Sequence, residues 1–228
     1  MEAITSYGVR LAACVNVLGD GGGQGDGCRA RRQIDRFIRH KRNNRNRDHV
    51  PIEIAQSPDS YVLSRPYESR FDLFDMITAL TFIQRTLAEE GILAGGGLTA
   101  GLCAQQGAFF CGPAIFRAAA MASEGPASAR IVVDAALLDG RMLPPRTDEL
   151  QEKLFRELWI DSARLTAEDA DGAVFINYLD GMYGLPEVGS RLERLLSGRA
   201  PGQARDWTLA YIRSCSWYEE KASAAGAG

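Results

Sequence analysis

Hydrophobic residues follow two periodicities along residues 1–140 of the 228-residue chain. Continuous or alternating apolar runs are typical of strands, and apolar residues spaced three or four apart are typical of helices. The predicted strands are 8–18, 50–55, 61–64, 96–103, 108–110 and 130–134. The predicted helices are 28–42, 70–90 and 113–123. Strands and helices in this order predict a ferredoxin-like α+β fold.

The last third of the chain has a different pattern. Its predicted helices are 147–158, 188–196 and 205–221, and its one predicted strand is 172–178. We therefore expect an α+β core at 1–140 and a mostly helical C-terminal extension at 141–221. The tail at 222–228 consists of small residues and is expected to be disordered.

The overall composition is that of a globular protein, with 46% hydrophobic residues, 24% charged residues and a net charge of -3. The segment 29–48 departs from this balance, because it holds nine Lys or Arg against two acids. Four arginines recur every three or four residues and would share a helix face: Arg29, Arg32, Arg36 and Arg39. This face is either solvated or binds an anion such as a triphosphate or RNA.

The five cysteines contain no CxxC pair, and no apolar segment precedes the first predicted strand. This usage is typical of reduced thiols in a cytoplasmic protein. The sequence also lacks the roughly 20 consecutive apolar residues that a membrane-spanning helix needs. We expect a soluble, cytoplasmic protein without a membrane partner.

Four stretches carry a family resemblance. They are Asn16-Val17-Leu18-Gly19; Ser57-Pro58-Asp59-Ser60; Gly95-Gly96-Gly97 with Gly112-Pro113-Ala114 and Arg130; and Asp169 to Leu179. In order and spacing they resemble the Pycsar-type pyrimidine cyclases, which belong to the class III nucleotidyl cyclase superfamily. The corresponding family patterns are Asp-x-x-Gly, Phe-Ser-Asp-Ser, Arg-Gly-Gly-Ile with Gly-Pro-Ala, and Asp-Gly-x-x-Phe-x-x-Tyr-Leu. The resemblance covers roughly residues 8–180.

The resemblance implies both a fold and an activity. The core at 1–140 would be a ferredoxin-like class III cyclase domain. As a metal-dependent lyase, it would convert UTP or CTP to the 3′,5′-cyclic nucleotide and pyrophosphate, as an anti-phage second messenger. It would act as a homodimer with sites across the interface and with two Mn²⁺ or Mg²⁺ ions. Nucleic acid is not the expected partner.

The resemblance also assigns site residues. Asn16 and Asp59 take the two metal positions, while Val17, Leu18, Gly19 and Arg130 take substrate-binding positions. The alternative for Arg130 is that it only anchors the end of a strand. Two divalent ions about 3.5–4 Å apart favour carboxylate ligands. Asp59 supplies one carboxylate, although an aspartate in Ser-Pro-Asp-Ser is also a common turn residue. Asn16, where the family has aspartate, offers an amide oxygen without charge.

Several further positions depart from the family. In the superfamily, an asparagine and an arginine on the helix after the Gly-Pro-Ala turn stabilise the transition state. Their positions hold Phe116 and Ala120 in this sequence, and Ala94 stands where the family has the arginine before the double glycine. Arg117 is a candidate phosphate contact; the alternative is a solvated helix arginine. The departures favour a second hypothesis, a catalytically degenerate cyclase-like domain that binds nucleotide or a partner without turnover. A third hypothesis is a nucleic-acid-binding domain that uses the arginine face of 29–48.

Overall fold

The computed structural model describes residues 7–18, 32–36, 52–57, 60–106, 109–123 and 128–218. Its strands are β1 (Tyr7–Leu18), β2 (Glu53–Gln56), β3 (Ser60–Pro66), β4 (Leu93–Gln106), β5 (Phe109–Cys111), β6 (Ile131–Val133), β7 (Thr166–Glu168) and β8 (Val174–Ile176). Its helices are α1 (residues 32–36), α2 (Arg70–Glu89), α3 (Pro113–Ser123), α4 (Ala135–Leu138), α5 (Glu149–Leu154), α6 (Pro186–Ser197) and α7 (Gln203–Ser214). A π-helix, Phe155–Ser162, continues α5.

The strands form one mixed sheet in the order β2-β3-β1-β4-β6-β8-β7, and β5 pairs with the far end of β4. β1 lies between β3 and β4 and is antiparallel to both. β4 and β6 are parallel and are connected through α3. The chain is therefore a mixed α+β protein, as the pattern of strands and helices predicted.

Side chains of β1 alternate between the two faces of the sheet, and each face packs against a different helix. Leu11, Ala13 and Val15 belong to the main core, which also includes most of the apolar face of α2. Ala12 faces the other way and packs with Cys103 and Ala114 beneath α3. This inside-outside alternation follows from the two-residue repeat of a strand. Because β1 is covered on both faces, its sequence is a nearly continuous apolar run.

The three consecutive glycines of β4 allow close packing above the sheet. A Cβ atom on Gly97 would lie 2.5 Å from the carbonyl oxygen of Ala118 and 2.6 Å from Cβ of Met121, both in α3. A Cβ atom on Gly95 would lie 2.5 Å from the carbonyl oxygen of Ser128. The missing side chains thus let α3 and the segment before β6 approach the backbone of β4.

The C-terminal third contains one more strand than the sequence predicted. β8 occupies the predicted position, and the additional strand β7 pairs with it to form a hairpin. Through the pair Val132↔Phe175, β8 joins β6, so strands on both sides of the expected boundary near residue 140 belong to one sheet. β7 has only three residues, none of them buried, so its sequence lacks the apolar signal of a strand.

Each predicted helix of the last third has a counterpart in the structure, although α7 ends at Ser214, seven residues before the predicted end. The pattern at 147–158 corresponds to α5 and the π-helix, and those at 188–196 and 205–221 correspond to α6 and α7. Residues 222–228 and most of the basic segment 29–48 lie outside the described residues. Within the described ranges, no helix combines the length and apolar character needed to cross a bilayer.

Candidate functional site

The candidate metal position Asn16 lies near the end of β1, between two neighbouring strands. It is directly opposite Ser60 of β3 on one side and Gly95 of β4 on the other. Its side chain is partly exposed, and the Sγ atom of Cys14 lies 3.7 Å from its Oδ1 atom. A thiol is a weak donor, so this contact holds the amide oxygen only loosely.

The hairpin of β2 and β3 turns at the end of the sheet where Asn16 lies. Ser57 N donates to the carbonyl oxygen of Ser60 at 2.9 Å, and the two hydroxyl oxygens are 2.5 Å apart. Asp59 itself lies outside the described residues, but it directly precedes Ser60, the residue opposite Asn16. The register of β1 and β3 therefore brings the chain next to Asp59 beside Asn16.

Two of the predicted phosphate-binding residues, Val17 and Leu18, are the last residues of β1. Among the described residues, β1 pairs with β3 as far as Asn16 and Ser60, and it pairs with β4 through Val17 and Leu18. The side chain of Val17 packs against the main core and that of Leu18 against a second apolar cluster around α6 and α7. Gly19 lies outside the described residues.

Arg130 is a buried residue at the start of β6, and its charge is compensated within the chain. The guanidinium donates from Nη1 to Asp171 Oδ1 at 3.0 Å, from Nη2 to Asp171 Oδ2, and from Nη1 to Asp169 Oδ2. These bonds, above all those to Asp171, raise the pKa of Arg130 and lower the pKa of Asp171 to about 2. Two of the stretches that carry the resemblance thus contact each other, and a phosphate at Arg130 would have to compete with two carboxylates.

Arg117 and the exposed Phe116 lie on α3. The Nε atom of Arg117 is 3.6 Å from Oδ2 of Asp134, and half of its side chain is exposed. Asp134 also accepts a hydrogen bond from Thr99 at 2.9 Å and caps α4 through the amide of Ala136. The arrangement is that of a surface ion pair beside a helix cap.

The donor atoms near Asn16 decide how a divalent ion would fit. In the described ranges, no three His, Cys, Asp or Glu side chains come together as a metal site. An amide oxygen from Asn16 and a carboxylate from Asp59 are suitable oxygen ligands for Mg²⁺ or Mn²⁺. Their combined charge of -1 balances little of the +4 carried by two ions, so the phosphates of a bound nucleotide would have to supply most of the negative charge.

A cleft that the sequence did not indicate lies between α7 and the β7–β8 hairpin. It encloses about 400 Å³ and combines aromatic side chains with carboxylates. Sequence periodicity could not reveal it, because its walls are separated by about 40 residues along the chain. The only local signal was the closely spaced acids and aromatics from Asp169 onward.

No protein-family model matches this chain, and no curated protein or solved structure matches it either. The proposed function therefore depends on the resemblance of the quoted stretches and on how the fold arranges them.

Proposed function

We propose that the chain is a nucleotidyl cyclase that converts UTP or CTP to the 3′,5′-cyclic nucleotide and pyrophosphate, as an anti-phage second messenger. The observation that supports it most is the register of β1 and β3. Asn16 lies opposite Ser60, so the two family-like stretches that hold the metal positions meet at one end of the sheet. The mixed α+β sheet is of the fold class that the resemblance implies.

The chemistry of cyclisation suits such a site. The 3′-hydroxyl attacks the α-phosphate of the same molecule, so the substrate already provides proximity. What remains is alignment and neutralisation of the charge on the triphosphate. In this proposal Asn16 and Asp59 hold the divalent ions, and the backbone from Val17 to Gly19 binds phosphate oxygens. When bound, the ions would lower the pKa of the attacking hydroxyl and balance the triphosphate.

The proposal includes a homodimer. The guanidinium of Arg130 already forms ion pairs with Asp169 and Asp171, so other cationic groups have to neutralise the triphosphate. A second copy of the chain can supply this positive charge if the two copies meet where the start of β1 pairs with the end of β4, a surface that we call the apolar arm of the sheet. On that arm Val9 and Leu102 are directly paired across β1 and β4, and each is about half exposed. The exposed Phe109 of β5 extends the same arm.

The test removes a carboxylate at one candidate metal position and adds a carboxylate at the other. The protein is incubated with each of the four nucleoside triphosphates and Mn²⁺, and cyclic products are measured by mass spectrometry. We expect cyclic UMP or CMP from the native chain, less or none from Asp59→Asn, and more from Asn16→Asp, which restores a carboxylate. Asp161→Asn is the matched control, because Asp161 is exposed on the π-helix. Undiminished product in Asp59→Asn would remove that residue from the mechanism.

The neutral side chain of Asn16 and the compensated charge of Arg130 favour a second candidate function, nucleotide binding without turnover. In that case neither the native chain nor Asn16→Asp makes a cyclic product, but UTP or CTP with Mn²⁺ raises the melting temperature. Stabilisation that is absent in Asp59→Asn would locate the nucleotide at the same end of the sheet. Measurable turnover by the native chain would exclude this candidate.

A further inference from the structure

The cleft between α7 and the β7–β8 hairpin has an aromatic floor. The rings of Trp207 and Tyr211 are stacked, with centroids 5.3 Å apart and an angle of 27° between the planes. Phe175 of β8 packs edge-on against both. Phe175 and Tyr211 are buried, whereas Trp207 is partly exposed. The indole of Trp207 is therefore the aromatic surface that a ligand in the cleft can reach.

The charged groups of the cleft are three carboxylates and one guanidinium, which belong to Glu168, Asp169, Asp180 and Arg164. The guanidinium is bound to Asp180, which also accepts hydrogen bonds from the hydroxyl and the amide of Ser216. Asp169 accepts hydrogen bonds from Arg130 and from Nε1 of Trp207. Among the described residues, this leaves the exposed carboxylate of Glu168 without a compensating cation.

We propose that this cleft binds a guanidinium group, carried either by a small molecule or by an arginine side chain. A planar cation stacks well on an indole face, and tryptophan is the strongest aromatic partner for it. Its edge can donate two parallel hydrogen bonds to a carboxylate such as Glu168. The lining has three carboxylates and only one guanidinium, so it disfavours anions. An uncharged ligand of the same shape would gain the stacking but not the ion pair.

This site is separate from the proposed cyclase site and does not depend on it. Its residues all lie between Arg164 and Cys215, whereas the candidate metal positions lie at Asn16 and Asp59. The two proposals can therefore fail independently, since one is measured as binding of a cation and the other as formation of a cyclic nucleotide.

The test uses butylguanidinium and its neutral isostere butylurea as probes. Each is titrated into the full chain at low ionic strength by isothermal titration calorimetry. We expect butylguanidinium to bind about tenfold or more tightly than butylurea, because only the cation makes the charge-assisted hydrogen bonds. Glu168→Gln should remove most of that difference. Glu187→Gln, an exposed glutamate on α6, should leave it unchanged.

Trp207→Phe tests the aromatic contact, and its melting temperature and circular dichroism report whether it folds. A folded Trp207→Phe variant should bind butylguanidinium more weakly, because phenyl is a poorer partner for a cation than indole. An acetylated arginine peptide amide distinguishes the two possible sources of the guanidinium group. If it binds more tightly than butylguanidinium, the natural ligand is an arginine side chain. If it binds equally or more weakly, the natural ligand is a small molecule. Equal affinity for the two probes, or full affinity in Glu168→Gln, would overturn the proposal.

Discussion

Arg70 and Glu152 form a two-point ion pair across 82 residues of sequence. Nε of Arg70 lies 2.5 Å from Oε2 of Glu152, and Nη2 lies 3.0 Å from Oε1. The guanidinium is fully buried, donates also to the carbonyl oxygen of Leu137 and to the hydroxyl of Tyr67, and lies over the ring of Phe155. The first turn of α2 is thus fixed to α5, and the carboxylate of Glu152 compensates the buried charge.

Glu152→Ala is expected to lower the free energy of unfolding by about 3 kcal/mol, because it leaves the guanidinium of Arg70 buried without a counter-charge. The measurement is urea unfolding followed by circular dichroism. Glu157→Ala is the matched control on the same helical segment: its pair with Lys153 is exposed, so we expect about 0–1 kcal/mol. Equal effects of the two variants would show that the buried ion pair contributes little.

Gly97→Ala is expected to destabilise the protein by about 1–3 kcal/mol, because the added methyl group would collide with α3. The atoms it meets are the carbonyl oxygen of Ala118 and Cβ of Met121, and neither belongs to the far end of a flexible side chain. Thermal unfolding provides the measurement. Gly8→Ala, in β1, has open space around the added atom and should change stability far less. A Gly97→Ala variant as stable as Gly8→Ala would mean that α3 can shift without cost.

The ion pair between Arg130 and Asp171 should give stability a specific acid dependence. The folded pKa of Asp171 is about 2, below its ordinary value near 4, because Arg130 and the amide of Ala173 bind the ionised form. The ionised carboxylate therefore stabilises the fold fully above about pH 4, and this contribution is lost as the pH falls toward 2. We expect the stability difference between native chain and Asp171→Asn to be constant from neutral pH to about pH 5 and to shrink below pH 4. A difference that does not change down to pH 2 would contradict the assignment.

Cysteine reactivity should follow burial. Burial raises the pKa of Cys215 to about 12 and also raises the pKa values of Cys14 and Cys103. The thiolate is the reactive form of cysteine. At about pH 8, a thiol with the pKa of Cys215 is only about one part in ten thousand ionised. We expect iodoacetamide to modify the half-buried Cys111 before the buried Cys14, Cys103 and Cys215, with the sites identified by mass spectrometry. Early modification of Cys215 would indicate that α7 opens readily.

If the proposed cyclase site is correct, divalent ions should bind together with the nucleotide rather than before it. The amide of Asn16 and the carboxylate of Asp59 provide too little charge to hold two ions alone. We expect calorimetric titration with Mn²⁺ to give weak binding to the free chain and binding at least about tenfold tighter with a UTP analogue whose α,β-bridging oxygen is replaced by carbon. Asp59→Asn should abolish this difference. Equally tight Mn²⁺ binding by the free chain would require a complete protein-based metal site.

The order of the longer strands and helices could be predicted because each of them is marked by its own sequence. The run from Gly8 to Leu18 and the spacing of Leu73, Met76, Ile77 and Leu80 are local signals, since alternation and helical periodicity arise within a few residues. The β7 strand could not be predicted, because three residues that are not buried give no such signal. The resemblance left two roles open for Arg130, substrate binding and anchoring of a strand end, and only the structure shows that its guanidinium binds Asp169 and Asp171.

The amino-acid pattern alone was sufficient to predict the α+β class, the hairpin of β2 and β3 and the bounds of α2 and α3. The reason is that apolar and polar residues alternate with the period of the strand or helix in which they lie. Only the tertiary structure decided which distant residues meet. It placed Asn16 opposite Ser60, joined β8 to the sheet through β6, and enclosed the cleft beneath Trp207. Such contacts depend on how whole faces pack, and packing between segments separated by tens of residues leaves no periodic trace in either segment.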